Sequence, residues 1–216
     1  MAQKKIFLES EGDAWLQRNS EMMALRKLPE SDPLLMELLD LPMQELKPVK
    51  VLEIGCGDGA RLSWLRENRG FECYGIEPSP QAVKMANEKG IHARQGTAEN
   101  LPFPAMSFDI VMFGFCLYLC DREDLFSIAC EADRVLKNPG WLLILDFYSP
   151  TPLKRKYHHR SGLFSYKMDC RAMFAWSPAY TNYSHKVRHH GYDSYTDVDT
   201  EWVATSVLRK NLERNE

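Results

Sequence analysis

The segment Val51-Leu-Glu-Ile-Gly-Cys-Gly-Asp-Gly59 constrains this chain more than any other. Val49–Ile54 is a short apolar run of the kind a buried parallel strand shows. Three glycines follow at alternate positions, and Ala60–Glu67 then reads as a helix ending near Gly70. A strand that turns through glycines into a helix lets the backbone bend sharply and approach a ligand within contact distance. The alternation continues through a second strand (Phe71–Glu77), a helix over Pro80–Glu88 stopping at Gly90, and a third strand (Ile91–Gln95). A fourth strand over Phe108–Phe113, a helix over Asp121–Lys137 and a fifth strand over Trp141–Phe147 complete it. In that last helix Leu125, Ile128, Ala129, Ala132, Val135 and Leu136 share one face, Asp121 is placed to cap it, and Asn138-Pro-Gly140 to stop it. Strands alternating with helices over a hundred residues predict an α/β, doubly wound, mainly parallel sheet.

The flanks extend that sheet. Ala14–Leu28 and Asp32–Leu39 read as N-terminal helices, the second opened by Pro33 at a favourable first-turn position. After Pro150 and Pro152 comes an aromatic, basic stretch without a clear helical period. Tyr180–Arg188 and Trp202–Arg209 read as strands joined by the turn-rich segment 191–197, an antiparallel hairpin on the sheet edge. The expectation is a Rossmann-like, seven-stranded single domain: a helical cap (1–48), a ligand-binding core (49–147), and an acceptor-binding segment with the edge hairpin (148–216).

Charge is uneven along the chain. Residues 151–190 hold eight Lys/Arg and one Asp, whereas the rest is acidic and the whole carries −3. Five of the six histidines (158, 159, 185, 189 and 190) fall in the basic stretch. Concentrated positive charge attracts anions, although a solvated face gives the same pattern. The six cysteines form no Cys-x-x-Cys pair, so neither a disulfide framework nor a zinc site is expected. No apolar run approaches the ~20 residues that cross a bilayer. The N-terminus turns acidic too early for a secretory signal, so a cytoplasmic protein is the expectation.

The glycine loop alone does not choose its ligand. Gly55-x-Gly57-x-x-Ala60 satisfies the relaxed dinucleotide fingerprint, with Glu77 at a ribose-binding distance. Yet Glu53, two residues before the first glycine, would repel a pyrophosphate and attract a ligand carrying an ammonium and a sulfonium. The loop itself carries no cation, only Asp58. Gln95–Phe103 ends the third strand with small and polar residues suited to an adenine edge.

Five segments together resemble the class I S-adenosylmethionine-dependent methyltransferases of the small-molecule branch (methyltransferase type 11 domain-like): Val51–Gly59, Tyr74-Gly-Ile-Glu-Pro-Ser79, Gly96-Thr-Ala-Glu-Asn-Leu-Pro-Phe103, Phe108-Asp-Ile-Val111 and Glu131–Gly140. They cover about residues 49–147, in the family's order. The resemblance implies S-adenosyl-L-methionine as cofactor and S-adenosyl-L-homocysteine as product. It places Gly55, Cys56, Gly57 and Gly59 under the methionine portion with Glu53 near its amino group. Glu77 and Pro78 would serve the ribose, Thr97, Ala98 and Glu99 the adenine, and Phe113 and Gly114 the floor near the sulfonium.

Methyl transfer from a sulfonium chiefly needs alignment, and an oxygen acceptor of high pKa also needs a base. Several small-molecule relatives have a histidine just after the fourth strand. Here Gly114-Phe-Cys-Leu-Tyr-Leu-Cys120 has none. The expected bases are therefore His158 and His159, with Tyr157 beside them. Arg155, Lys156, Arg160, Tyr166 and Arg171 are the expected binders of a small anionic acceptor such as a phosphorylated or nucleotide-linked sugar, methylated on oxygen or nitrogen. The segment Glu11–Asn19, with Trp15 and Arg18, is similar to the lid of some sugar-pathway methyltransferases; a plain packing helix is the other reading. A non-catalytic cofactor-binding protein and an NAD-dependent oxidoreductase are the alternatives. A nucleic-acid substrate is disfavoured by the net negative charge and the lack of an Asn/Asp-Pro-Pro-Tyr-type motif. No metal is expected, and a monomer or homodimer is.

Overall fold

The computed structural model describes residues 2–43, 48–191 and 194–212. Tyr192 and Asp193, part of the expected turn, lie outside the described residues. The N-terminus is more helical than its pattern suggests. α1 (Gln3–Ile6), a π-helical turn (Phe7–Glu11) and α2 (Gly12–Ala24) run on without a break, starting well before Ala14 and ending before Leu28. α3 (Pro33–Leu39) is capped as its sequence predicts: Asp32 Oδ1 accepts from the backbone N–H of Leu34 and Leu35, both at 3.0 Å.

The core alternates as expected: β1 (Lys50–Ile54), α4 (Ala60–Arg69), β2 (Glu72–Glu77), α5 (Pro80–Glu88), β3 (His92–Gln95), β4 (Phe108–Gly114), α6 (Leu125–Val135) and β5 (Leu136–Phe147). Two boundaries depart from the sequence reading. Asp121 does not cap α6. Its carboxylate instead accepts from the backbone N–H of Gln3 and Lys4, at 2.9 and 3.0 Å, satisfying orphan donors at the start of α1. Asn138-Pro139-Gly140 lies inside β5 rather than stopping the helix, because the chain is already extended at Leu136, the residue after α6.

The seven-stranded sheet has the order β3-β2-β1-β4-β5-β9-β8, where β8 is Tyr180–His189 and β9 is Trp202–Lys210. The first five strands are parallel; β9 is antiparallel to both β5 and β8. It follows that β8 runs parallel to β5, and its last residues lie at the carboxyl edge of the sheet. The period-2 pattern splits the core. Val51, Ile110 and Met112 pack with Leu34, Leu38, Leu62 and Leu65 on one face, while Leu52, Ile54, Val111 and Phe113 pack with Ile128, Ala132 and Val135 of α6 on the other. Each such fully buried Val, Leu, Ile, Met or Phe side chain contributes about 1.5–3 kcal/mol.

The basic stretch forms a small separate hairpin, β6 (Leu153–Lys156) and β7 (Phe164–Lys167), which the sequence did not reveal. Two joints tie it to the N-terminal helix. Gln3 exchanges hydrogen bonds with Phe164, and Arg18 donates to both Glu11 and the Tyr157 hydroxyl.

Candidate functional site

A cavity of about 330 Å³ opens at the carboxyl ends of β1, β2, β3 and β4, where open α/β sheets bind ligands. The turn after β1 brings Gly55, Cys56 and Gly57 to its wall. Gly55 has φ +75°, and a Cβ there would stand 2.6 Å from Cys116 Cβ, so only glycine fits. Gly59 does not reach the cavity: it starts α4 and faces Ala86.

Two buried carboxylates face this space. Glu77, at the end of β2, accepts from Gly57 N at 2.9 Å through one oxygen and from Ser79 N at 3.0 Å through the other. The carboxylate therefore holds the glycine turn and the start of α5 together, and each oxygen keeps lone-pair capacity. Burial outweighs those two bonds and pushes its pKa up to about 7. Glu53, in β1, pairs with Arg61, which also grips Asp32 at 2.9–3.2 Å. The loop itself lacks a cation, but α4 supplies one two residues later. Glu53 Oε2 remains buried with no hydrogen-bond partner. Burial raises the Glu53 carboxyl to about 7 against the pull of Arg61, while Arg61 is held firmly charged by its two carboxylates.

Pro78, Thr97, Ala98, Glu99 and Gly114 also line the cavity. The Glu99 carboxylate already accepts from Thr97 Oγ1 at 2.9 Å and pairs with Lys4 Nζ at 3.2 Å. Phe113 is fully buried against α6 instead, because the alternation of β4 turns it away from Met112 and Gly114.

The residues expected to serve the acceptor are placed differently. Trp15 lines the cavity and donates from Nε1 to the Tyr118 hydroxyl at 3.2 Å. Arg18 and Tyr157 do not; they bond each other at 3.0 Å, and burial raises the Tyr157 phenol. His158 and His159 are exposed on the loop joining β6 and β7, away from the cavity wall. The cations of the basic stretch lie outside that wall as well. Arg160 pairs with Glu11 at 3.7 Å, Arg171 with Asp169 at 2.6 Å, and Arg122 stacks over Tyr166 at 4.3 Å. Arg155 and Lys156 are exposed on β6. Arg155 and Lys156 sit on a two-stranded ribbon outside the main sheet, Arg160 on its connecting loop and Arg171 on a turn beyond it, so the fold does not carry them to the strand ends.

Sequence reasoning missed the opposite wall of the cavity. Phe115, Tyr118, Phe147 and His190 join Trp15 there. Phe147 contacts the rings of Phe115 (5.5 Å), Tyr118 (4.9 Å) and His190 (5.0 Å). Asp146, buried at the end of β5, accepts from Leu117 N and Phe147 N, both at 2.8 Å, and so holds the turn that carries Tyr118. Burial raises Asp146 to about 7 and keeps the Tyr118 phenol protonated far above neutrality. Along the N-terminal helix, Lys4, Phe7, Gly12, Trp15, Asn19, Met22 and Met23 recur at helical spacing on the cavity side. Among the described residues no group of three or more His, Cys, Asp or Glu is arranged to hold a metal ion.

Residues 52–144 match the family model of a methyltransferase domain. An uncharacterised methyltransferase of Bacillus subtilis, YcgJ, is 37% identical over 109 residues, covering 47% of this chain and 42% of that protein. A demethylmenaquinone methyltransferase of Tropheryma whipplei is 31% identical over 105 residues, covering 47% of this chain and 43% of that protein. The chain thus spans under half the length of these curated relatives. Among solved structures, the 1,6-didemethyltoxoflavin-N1-methyltransferase of Burkholderia thailandensis, with bound 1,6-didemethyltoxoflavin and S-adenosylhomocysteine, superposes with a TM-score of 0.66 at 16% identity. That alignment covers 96% of this chain and 88% of that one, and it speaks to the fold. With the glycine turn and the strand order in hand, this match assigns residues 52–144 to the methyltransferase domain, in line with the resemblance to the class I S-adenosylmethionine-dependent methyltransferases.

Proposed function

We propose that this protein transfers a methyl group from S-adenosylmethionine to an oxygen or nitrogen of a small-molecule acceptor. The observation that carries the reading is the pair of buried carboxylates, Glu53 and Glu77, on one cavity beside the glycine turn. The cofactor's groups fit what is present. The unpartnered Glu53 Oε2 suits an ammonium. Glu77, with one backbone donor on each oxygen, can still accept from two vicinal hydroxyls. Thr97, Ala98 and Glu99 would border the base, with Gly55, Cys56, Gly57 and Pro78 close to the rest. A pyrophosphate would meet Glu53 as a like charge, which disfavours a dinucleotide.

When bound, S-adenosylmethionine supplies an electrophilic methyl on a sulfonium that needs no further activation. What the chain must add is alignment, exclusion of water and, for a protonated acceptor, a group to take the proton. The N-terminal helix walls the cavity with Phe7, Trp15, Met22 and Met23, which suits water exclusion. The phosphorylated or nucleotide-linked sugar suggested by the basic stretch loses its support here, since Arg155, Lys156, Arg160 and Arg171 do not line the cavity. Among the described residues no helix is long and apolar enough to cross a membrane.

Calorimetry with S-adenosylhomocysteine and with NAD tests the reading. Binding of the first and not the second is expected, and a preference for NAD would overturn it. Transfer of a labelled methyl group into metabolite extract then separates an enzyme from a non-catalytic binding protein.

A further inference from the structure

The aromatic wall and the carboxylate wall differ in what they offer a ligand. Phe115 and Phe147 present ring surface, Trp15 and Tyr118 present rings joined by a hydrogen bond, and His190 closes the group at the rim. The cations on the cavity belong elsewhere. Lys4 pairs with Asp124 at 2.8 Å and with Glu99, and Arg61 is locked between Asp32 and Glu53. Arg26 feels Asp32, Glu53 and Asp58 at the glycine-turn end. Lys167 Nζ stands over the Phe147 ring at 4.5 Å, but it donates to Thr200 O and does not line the cavity.

Elimination singles out one proton acceptor. Glu53 and Glu77 are engaged at the glycine turn. Asp121 accepts from Gln3 N and Lys4 N, while Asp124 and Glu99 both pair with Lys4. Burial holds the thiols of Cys116 and Cys120 and the Tyr118 phenol in their protonated forms at neutral pH. The His190 ring has no hydrogen-bond partner on either nitrogen among the described residues. Its backbone N–H donates to Glu201 O at 2.7 Å, which sets the ring against Phe147. Partial burial beside these rings lowers its pKa from 6.5; Lys167 and His189 push the same way and Glu201 opposes. The imidazole is thus largely neutral at pH 7, and its exposed rim position allows exchange with solvent.

We infer that the aromatic wall is the acceptor subsite, that it takes an uncharged aromatic or heteroaromatic ring bearing an O–H or N–H, and that His190 is the catalytic residue that removes that proton. This rests on the methyl-transfer reading above. In the balanced step a lone pair of the acceptor oxygen or nitrogen forms the bond to the methyl carbon, and the carbon–sulfur pair returns to sulfur as the thioether. The acceptor's proton passes to the free imidazole nitrogen and then to solvent. No oxidant, metal or further reactant is needed.

The test uses the full chain saturated with S-adenosylhomocysteine and two probes, 2-naphthol and glucose 1-phosphate. The protein carries labelled histidine, and the His190 signal is assigned by its loss in His190→Gln. We expect 2-naphthol to bind, to shift the His190 ring signal, and to bind about tenfold more weakly to Phe147→Leu, in line with the worth of an aromatic contact. Glucose 1-phosphate should do none of this. With S-adenosylmethionine and 2-naphthol as acceptor, His190→Gln should lose the acid limb of the rate profile while its S-adenosylhomocysteine affinity stays that of the parent. Binding of the sugar phosphate in place of the naphthol, an unmoved His190 signal, or an unchanged pH profile in His190→Gln would overturn the inference. Failure of the parent protein to bind S-adenosylhomocysteine would instead overturn the methyl-transfer reading itself.

Discussion

The two walls of the cavity are built by opposite strategies. The carboxylate wall comes from consecutive strand ends, Glu53–Gly57, Ile76–Pro78 and Gly96–Glu99, each contributed by the next turn of one repeating βα rhythm. The aromatic wall gathers Trp15 from the N-terminal helix, Phe115 and Tyr118 from the turn after β4, Phe147 from β5, and His190 from just beyond β8. The first wall is held by backbone donors and buried ion pairs, the second by ring contacts, the Trp15–Tyr118 hydrogen bond and the two backbone donors to Asp146 behind it. A site made from a local rhythm tolerates little change, because Glu77 also holds the glycine turn and Glu53 is tied to α4 through Arg61. A site assembled from distant elements has members that can vary without unmaking the fold.

That contrast is broken most severely at Arg61. It neutralises Glu53 and Asp32 inside the protein, and Asp32 in turn caps α3. Arg61→Met would leave two buried carboxylates unpaired, and a loss of about 3–5 kcal/mol is expected. Urea unfolding measures it; a change below about 1 kcal/mol would mean that this wall does not depend on its ion pairs. Glu77→Ala comes next. Losing its charge-assisted hydrogen bonds, worth about 1.5–3 kcal/mol, should weaken S-adenosylhomocysteine binding tenfold or more by calorimetry. Unchanged affinity would remove Glu77 from the cofactor contacts.

The same contrast explains what could be read from the chain before folding. The five parallel strands, the glycine turn and Glu77 are legible because each is a local pattern: an apolar run, then glycine or an acidic residue at its end. The edge hairpin was legible too, and it carried an implication that the residue types hid. Since β9 is antiparallel to both of its neighbours, β8 must finish beside Phe147, which brings His190 to the cavity. Attention to the denser cluster at His158 and His159 pointed instead to a loop of the separate β6–β7 hairpin. Asp121 misled for a related reason. It has the right chemistry for a cap, but its donors are Gln3 and Lys4, more than a hundred residues away. Residue type announces a role, and only tertiary pairing says for which element.

The pH dependence of stability sharpens the comparison, because raised carboxyls serve both walls, Glu53 and Glu77 in the first and Asp146 behind the second. Burial lifts Glu77 from 4.5 and Asp146 from 3.8, each to about 7. The folded chain therefore keeps protons that the unfolded chain releases near pH 4. The stability these groups contribute is full below that pH and is lost as pH rises through about 7. Unfolding free energy of the ligand-free protein should fall by up to ~1.4 kcal/mol per pH unit for each group across that window. Asp146→Asn should flatten its share of the slope and leave cofactor affinity unchanged, whereas Glu77→Gln should flatten its own and weaken the cofactor. A slope of the opposite sign would show that neither carboxyl is raised.

The smallest expected effect is the one that separates the walls most cleanly. Trp15→Phe keeps an aromatic ring on the cavity and deletes the Nε1 donor to Tyr118 along with the second ring of the indole. One neutral hydrogen bond is worth about 0.5–1.5 kcal/mol, so a modest loss of stability is expected. S-adenosylhomocysteine affinity should change by no more than about twofold, since Trp15 stands with the rings and not with the carboxylates. If affinity instead fell as far as in Glu77→Ala, the N-terminal helix would have to transmit the loss through Asp13, whose carboxylate accepts from Ser79 Oγ beside Glu77. Asp13→Asn would then reproduce the defect with Trp15 intact, and the two walls would count as one cooperative unit closed by the helix that spans them.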